Sequence, residues 1–189
     1  MKHVIHIYGA SGSGTSTLGK ALAKELGWRW MDSDDYFWMP TDPPYTTKRS
    51  IPERINLMER DIDAAENAVV SGSLVGWGDA LMKRFTLAVR VDTDTAVRLA
   101  RIRERERRKF GARILPGGDM FDAHQAFLKW AAGYDEGGLD TRSRARHDEW
   151  EKGLSCSIVR VNGMDKVQEN VEKVKAVLKN NQKYAAQMS

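Results

Sequence analysis

The chain has 189 residues, 41% of them hydrophobic, enough for one compact domain with a sizeable core and small mobile insertions. Its formal charge of +4 suits an anionic ligand but is too mild to argue for nucleic acid, and no nucleic-acid partner is expected. The single cysteine, Cys156, excludes an internal disulfide and a cysteine-based zinc site. The apolar start, Val4 to Ile7, is too short for a signal peptide, and no stretch reaches the roughly 18 apolar residues of a spanning helix. A soluble, cytoplasmic protein without a membrane partner is therefore expected.

Val4 to Tyr8 reads as a buried strand ending at Gly9. Leu18, Ala21, Leu22 and Leu26 then repeat at helical spacing, which predicts a helix over about 14–26 that stops at Gly27. Trp28 to Met31 is a second strand, followed by Asp32-Ser33-Asp34-Asp35. The prolines Pro40, Pro43 and Pro44 mark residues 40–50 as a loop, and Ile55, Met58, Ile62 and Ala65 give a helix over 52–67. Ala68 to Ser71 and Leu87 to Val91 are the third and fourth strands. Between them Gly72, Gly76 and Gly78 mark a loop. A strongly basic helix from Thr95 to about Lys109, a Gly/Pro turn region over 111–118, a helix from Met120 to Ala132 and a polar helix from Arg142 to Lys152 come next. Ile158 to Val161 is the last strand, and Val167, Val171, Val174 and Leu178 line one face of a C-terminal helix.

Strands alternating with helices predict an α/β protein, with a mostly parallel five-stranded sheet between two helical layers. Ligands of such sheets gather beyond the C-terminal strand ends. Four candidate functional segments leave such ends, at Gly9, Asp32, Ser71 and Asp92.

The run Gly9-Ala10-Ser11-Gly12-Ser13-Gly14-Thr15-Ser16-Thr17 has the spacing of a phosphate loop. Glycines let the backbone wrap a polyphosphate with N–H groups turned inward, and the following helix adds its positive end. Ser16 offers a hydroxyl to Mg²⁺. One position departs from the pattern: Thr15 stands where such loops carry the lysine that neutralises the β- and γ-phosphates. Lys20 is no obvious substitute, lying about 500° around and about 7.5 Å along an ideal helix.

With these residues the sequence resembles the P-loop small-molecule kinases, especially shikimate kinases, more loosely adenylate kinases, and bacterial proteins described as adenylate kinase-like or P-loop ATPases. The likeness runs through Gly9–Ser16, the Asp32-Ser33-Asp34 strand end, the glycine-bearing end of the third strand, the arginine-rich segment and the final strand–helix pair. It implies a P-loop NTPase fold over residues 1–189, an acceptor-binding insertion at about 36–66 and a lid at about 104–119. It also implies ATP and Mg²⁺ as cofactors, Asp32 beside the metal with Ser16, and Asp34 holding or deprotonating an acceptor hydroxyl. Ser71-Gly72-Ser73, without the usual metal-organising aspartate, is similar to the shikimate kinase pattern. The segment from Trp38 to Arg49 matches no shikimate-binding pattern.

Asp35 reads as a cap for a following turn rather than a site residue. Arg101, Arg105 and Arg108 share one side of the basic helix and are candidates for supplying the charge that Thr15 lacks, with Arg113 after Gly111 as another. The interleaved Glu104 pairs with Arg108 at i,i+4, so most of that helix reads as a solvated charged face. Arg142, Arg144 and Arg146 are two apart and share no helical face, and carry less weight. Lys48, Arg49 and Arg54 flank the proline loop and read equally as groups for an anionic acceptor or as surface charge. Trp38 and Trp77, in proline- and glycine-rich surroundings, and Gly72 complete the candidate acceptor site. The four histidines read as structural or surface residues.

The leading expectation is an ATP-dependent phosphotransferase of nucleoside monophosphate kinase or shikimate kinase type, its partners a nucleotide and a small-molecule acceptor. The alternative is a nucleotide-binding module with weak or no kinase activity, for which Thr15 is the main support.

Overall fold

Strand β1, Val4–Gly9, is buried along its whole length because layers pack on both of its faces. Ile5 and Ile7 point to one layer, and Val4 and Tyr8 to the other, as the two-residue period of a strand requires. The computed structural model describes residues 2–187. Beside β1 lie β2 (Arg29–Asp32), β3 (Ala68–Ser71), β4 (Leu87–Asp92) and β5 (Ser157–Asn162). All pairings are parallel, in the order β2-β3-β1-β4-β5.

The helices are α1 (Thr15–Leu26), α2 (Ser33–Phe37), α3 (Ile51–Ala64), α4 (Thr95–Phe110), α5 (Phe121–Ala132), α6 (Arg144–Glu151) and α7 (Val167–Gln187). Leu18 and Leu22 of α1 with Val171, Val174 and Leu178 of α7 cover one face of the sheet. Met58 and Ile62 of α3, Leu81 and Trp150 of α6 cover the other. This is the three-layer α/β/α arrangement of a P-loop NTPase fold, as expected. No helix among the described residues is long and apolar enough to cross a membrane.

Gly27 ends α1 in the left-handed conformation at φ 69°, and its amide donates back to Ala23 and Lys24. Ser50 caps α3 through a bond from the Glu53 amide, and Asp94 caps α4. The expected helix over 142–152 starts two residues later, with Ser143 as its cap accepting from the Arg146 amide. Elements that escape the sequence pattern include α2 and a 3-10 helix over Asp79–Arg84. Both are shorter than the window over which helical periodicity becomes visible.

Register sets the site. Ile7 and Asp32 both pair with Ser71, Gly9 with Val91, and Asp92 with Asn162. The four chain segments singled out from sequence therefore leave one edge of the sheet side by side.

Candidate active site

The loop between β1 and α1 turns at Ser13, whose amide donates to the Ala10 carbonyl at 3.1 Å. Gly14 sits at φ 104°, a conformation that side-chain-bearing residues rarely adopt, and no side chain caps the helix there. The first amides of α1 thus lack a side-chain acceptor and present a positive end at the sheet edge. The Ser13 carbonyl is held from outside by Thr93 Oγ1 at 3.0 Å and Arg101 Nη1 at 3.4 Å. The buried Ser13 hydroxyl has no partner, an orphan donor inside a loop shaped for an anion.

Ser16 Oγ donates to Asp32 Oδ2 at 2.7 Å. The pair joins the first turn of α1 to the end of β2, two strands away across the sheet. A hydroxyl and one carboxylate are a fitting protein share for Mg²⁺, which keeps waters and takes its remaining oxygens from substrate phosphates. Asp32 has a second task. Its Oδ1 accepts from the Asp34 amide at 3.1 Å and caps α2. The cap expected at Asp35 is therefore Asp32, because the helix starts at Ser33 and its capping residue must precede it.

Asp34 and Asp35 follow in the first turn of α2 and diverge. Asp34 is exposed to solvent at the start of α2. Desolvation and the neighbouring Asp32 raise its pKa, while Arg142 and Arg105 pull it back down. Asp35 is raised by the same two causes, and its opposing cations are Lys20 and Lys109. The cations acting on Asp34 are thus arginines around the phosphate loop, and those acting on Asp35 are lysines.

The arginines of α4 part company. Arg101 spans from Ser13 to the Gly163 carbonyl at 3.0 Å, tying the turn after β5 to the phosphate loop. Arg105 donates to Glu106 at 3.0 Å with its side chain more than half exposed. Arg108 pairs with Glu104 at 2.8 Å, the i,i+4 contact expected from sequence. A groove of about 550 Å³ runs along this face, lined by Arg101, Glu104, Arg105, Arg108 and Lys109. A second opening, about 500 Å³, lies past the ends of β4 and β5, where Arg144 already pairs with Asp135 at 2.7 Å.

The residues expected around the acceptor are mostly engaged with one another. Arg54 is buried, donates to the Arg49 carbonyl at 2.8 Å, and lies 3.7 Å from the centre of the Phe37 ring. Arg49 pairs with Glu53 at 3.6 Å, and Lys48 lies 5.9 Å over Phe37. Trp38 packs edge-on between Phe37 and Tyr45, and its backbone bridges to Lys48. Trp77 corrects the sequence expectation. Its glycine neighbours suggested a ring free to line a ligand site, yet it is 6% exposed, inside the α3-side core, with its indole N–H on the Ser73 carbonyl at 3.3 Å. Gly78 beside it lets the turn fold tightly onto Leu74. Gly72, at φ 105°, is where β3 touches the start of α2, and a Cβ there would lie 1.9 Å from Ser33 Oγ. Arg113 reaches Asp42 at 2.8 Å and Lys109 reaches the Tyr45 hydroxyl at 2.6 Å, so the 104–119 segment touches the proline loop.

One group that carried little weight in the sequence stands against the phosphate loop. Arg142 donates through Nη2 to Ser11 Oγ of the phosphate loop. Arg142 precedes α6, so the faces of that helix do not set its direction. Ser143 as a helix cap was the signal that could have shown this. Behind the site, His147 takes Ser73 Oγ at 2.9 Å on Nε2 and the Tyr134 hydroxyl at 2.6 Å on Nδ1. Burial, with Arg142 and Arg90 nearby, lowers its pKa to about 3, so the ring is neutral and joins β3 to the chain after α5.

A glycine loop joining the central strand to α1, at the C-terminal edge of a parallel sheet of this order, is the arrangement of a P-loop fold. The family model described as an AAA domain matches residues 5–116, more than half of the chain, and the chain belongs to that family. It is 42% identical over 181 residues to the uncharacterized protein YqaC of Bacillus subtilis (strain 168), covering 96% of this chain and 100% of that one. In fold it is similar to a gluconokinase from Sinorhizobium meliloti 1021, with TM-score 0.60, 16% identity, and 99% and 97% of the two chains covered. It is likewise similar to a shikimate kinase from Bacteroides thetaiotaomicron, with TM-score 0.58, 17% identity, and 94% and 98% covered.

Proposed function

We propose that the protein is an ATP-dependent phosphotransferase acting on a small hydroxyl-bearing acceptor. The observation that carries this reading is the Ser16–Asp32 bond at the start of α1, with Asp34 two residues beyond Asp32 and under the electrostatic influence of Arg142 and Arg105. A loop alone would serve binding. A metal-ligand pair beside a carboxylate of raised pKa serves transfer.

Gly9 to Thr17 would hold the phosphates, with the basic groove along α4 beside them. Ser16 and Asp32 would hold Mg²⁺, which neutralises phosphate charge when bound. Asp34, in its ionised form, accepts the proton of the acceptor hydroxyl. The acceptor oxygen bonds to the terminal phosphorus of ATP, the bond from that phosphorus to the bridging oxygen breaks, and its electron pair leaves with ADP. Residues 36–66 would bind the acceptor and 104–119 would close over it. The mutual engagement of Arg49, Arg54 and Lys48 favours an acceptor read by hydroxyls over a nucleoside monophosphate held by its phosphate.

The test is transfer from ATP to a panel of gluconate, shikimate, other sugar acids and polyols, and nucleoside monophosphates. One acceptor should be phosphorylated, and Asp34→Asn should lower kcat by about 100-fold or more with nucleotide Kd within about twofold. Thr15 favours the second reading, a binding module. Tight nucleotide binding with no transfer to any acceptor, and no gain on Thr15→Lys, would establish that reading instead.

A further inference from the structure

The kinase reading leaves one charge unaccounted for, since Thr15 occupies the place of the loop lysine. Several cations surround the loop, and most are committed elsewhere. Lys20 lies 4.5 Å over the Trp30 ring. Arg101 gives its two terminal nitrogens to backbone carbonyls, and Arg105 and Arg108 pair with Glu106 and Glu104.

Arg142 differs. Its Nη2 is on Ser11 of the loop itself, 131 residues away in sequence. Its Nε is buried without any hydrogen bond. Its guanidinium rests 4.4 Å from the centre of the Trp130 ring, and among the described residues it has no carboxylate ion pair. Desolvation lowers its pKa, but a guanidinium stays protonated at any physiological pH. A partly buried cation whose Nε–H is buried without an acceptor, and which lacks a fixed counter-ion, is stabilised by an anion placed against it. The carboxylate that acts on it through space is Asp34, and among the cations drawing Asp34 down Arg142 is the largest influence. Arg142 therefore stands against the phosphate loop, within electrostatic reach of the carboxylate that would receive the acceptor proton.

We propose that Arg142 is the cation that replaces the missing loop lysine, binding the terminal phosphoryl group of ATP and stabilising its charge as it passes to the acceptor. The inference rests on the kinase reading. The planar guanidinium suits the task, since Nε and Nη2 form one edge able to give two parallel N–H bonds to phosphoryl oxygens. Trp130 holds that edge in place, and Ser11 occupies one of its donors until phosphate arrives.

The experiment compares the affinities of a non-hydrolysable ATP analogue and of ADP, both with Mg²⁺, by calorimetry. The proteins are wild type, Arg142→Gln, Arg142→Ala, Thr15→Lys and the double variant Thr15→Lys/Arg142→Gln. Arg142→Gln keeps a donor for Ser11 and removes only the charge, so it carries the test if the alanine variant does not fold. It should weaken the ATP analogue by about 10-fold or more and leave ADP within about twofold. Thr15→Lys should restore most of the loss in the Arg142→Gln background. Equal weakening of both nucleotides, no weakening of either, or no restoration by Thr15→Lys would overturn the assignment. Selective loss of the ATP analogue in a protein that phosphorylates no acceptor would sink the kinase reading and leave the Arg142 contact standing. A wild-type protein that binds neither nucleotide would overturn both.

Discussion

Replacing Asp32 separates two roles that one side chain combines. Its Oδ1 caps α2 and its Oδ2 accepts from Ser16 at 2.7 Å. Asparagine caps a helix as well as aspartate does, so Asp32→Asn should change stability by less than about 0.5 kcal/mol. Asp32→Ala loses the cap, about 1 kcal/mol, and the bond from Ser16, about 1 kcal/mol after discounting for the partial exposure of the pair. In urea, at a slope of about 2 kcal/mol per molar, that is a midpoint lowered by about 1 M. The Mg²⁺ dependence of nucleotide affinity should fall by about 10–100-fold in both variants, because both remove the charge. The neighbouring carboxyl offers a further readout. Asp32 helps to raise Asp34, so removing its charge should move the acid limb of the transfer reaction to lower pH. Paired urea melts and calorimetric titrations with and without Mg²⁺ check this. An asparagine variant as unstable as the alanine one, or one that keeps its full Mg²⁺ dependence, would refute the division of labour.

Arg90 is 1% exposed in β4 and donates to Glu151 at 2.6 Å and to Asp148. Arg90→Met should cost about 3 kcal/mol in chemical denaturation, since it takes from the buried Glu151 its buried cation and leaves it the half-exposed Arg160, and Arg90→Met/Glu151→Gln should recover part of that. Burial also depresses His6 and His147 to about 3, well below the 6.5 of the unfolded chain. Between those values the unfolded chain binds the extra protons, so stability is intact above about pH 6.5 and falls as pH drops toward 3. From pH 6 to pH 5 the two together should cost about 2 kcal/mol, read from denaturation midpoints, and His147→Gln should reduce that slope by about half.

The sequence determined the elements and the phosphate loop, because both are local. Apolar runs, helical spacing and glycine stops report on neighbours a few residues apart, and the loop's geometry is written in eight consecutive residues. Parallel alternation placed Gly9, Asp32, Ser71 and Asp92 at one edge, and the register pairs them there. The single-turn helix α2 was too short to leave a period, so the capping role of Asp32 stayed hidden. Tertiary structure alone decided which charges are spent and which remain available. Arg54 stacks on Phe37 and Trp77 enters the core, and each contact engages a residue that the sequence offered to the acceptor site. Arg142 meets Ser11 across 131 residues, a contact no spacing rule can express. The reason is physical: a side chain's partners, and hence its pKa and its freedom to meet a ligand, are fixed by packing between elements that the chain brings together only when it folds.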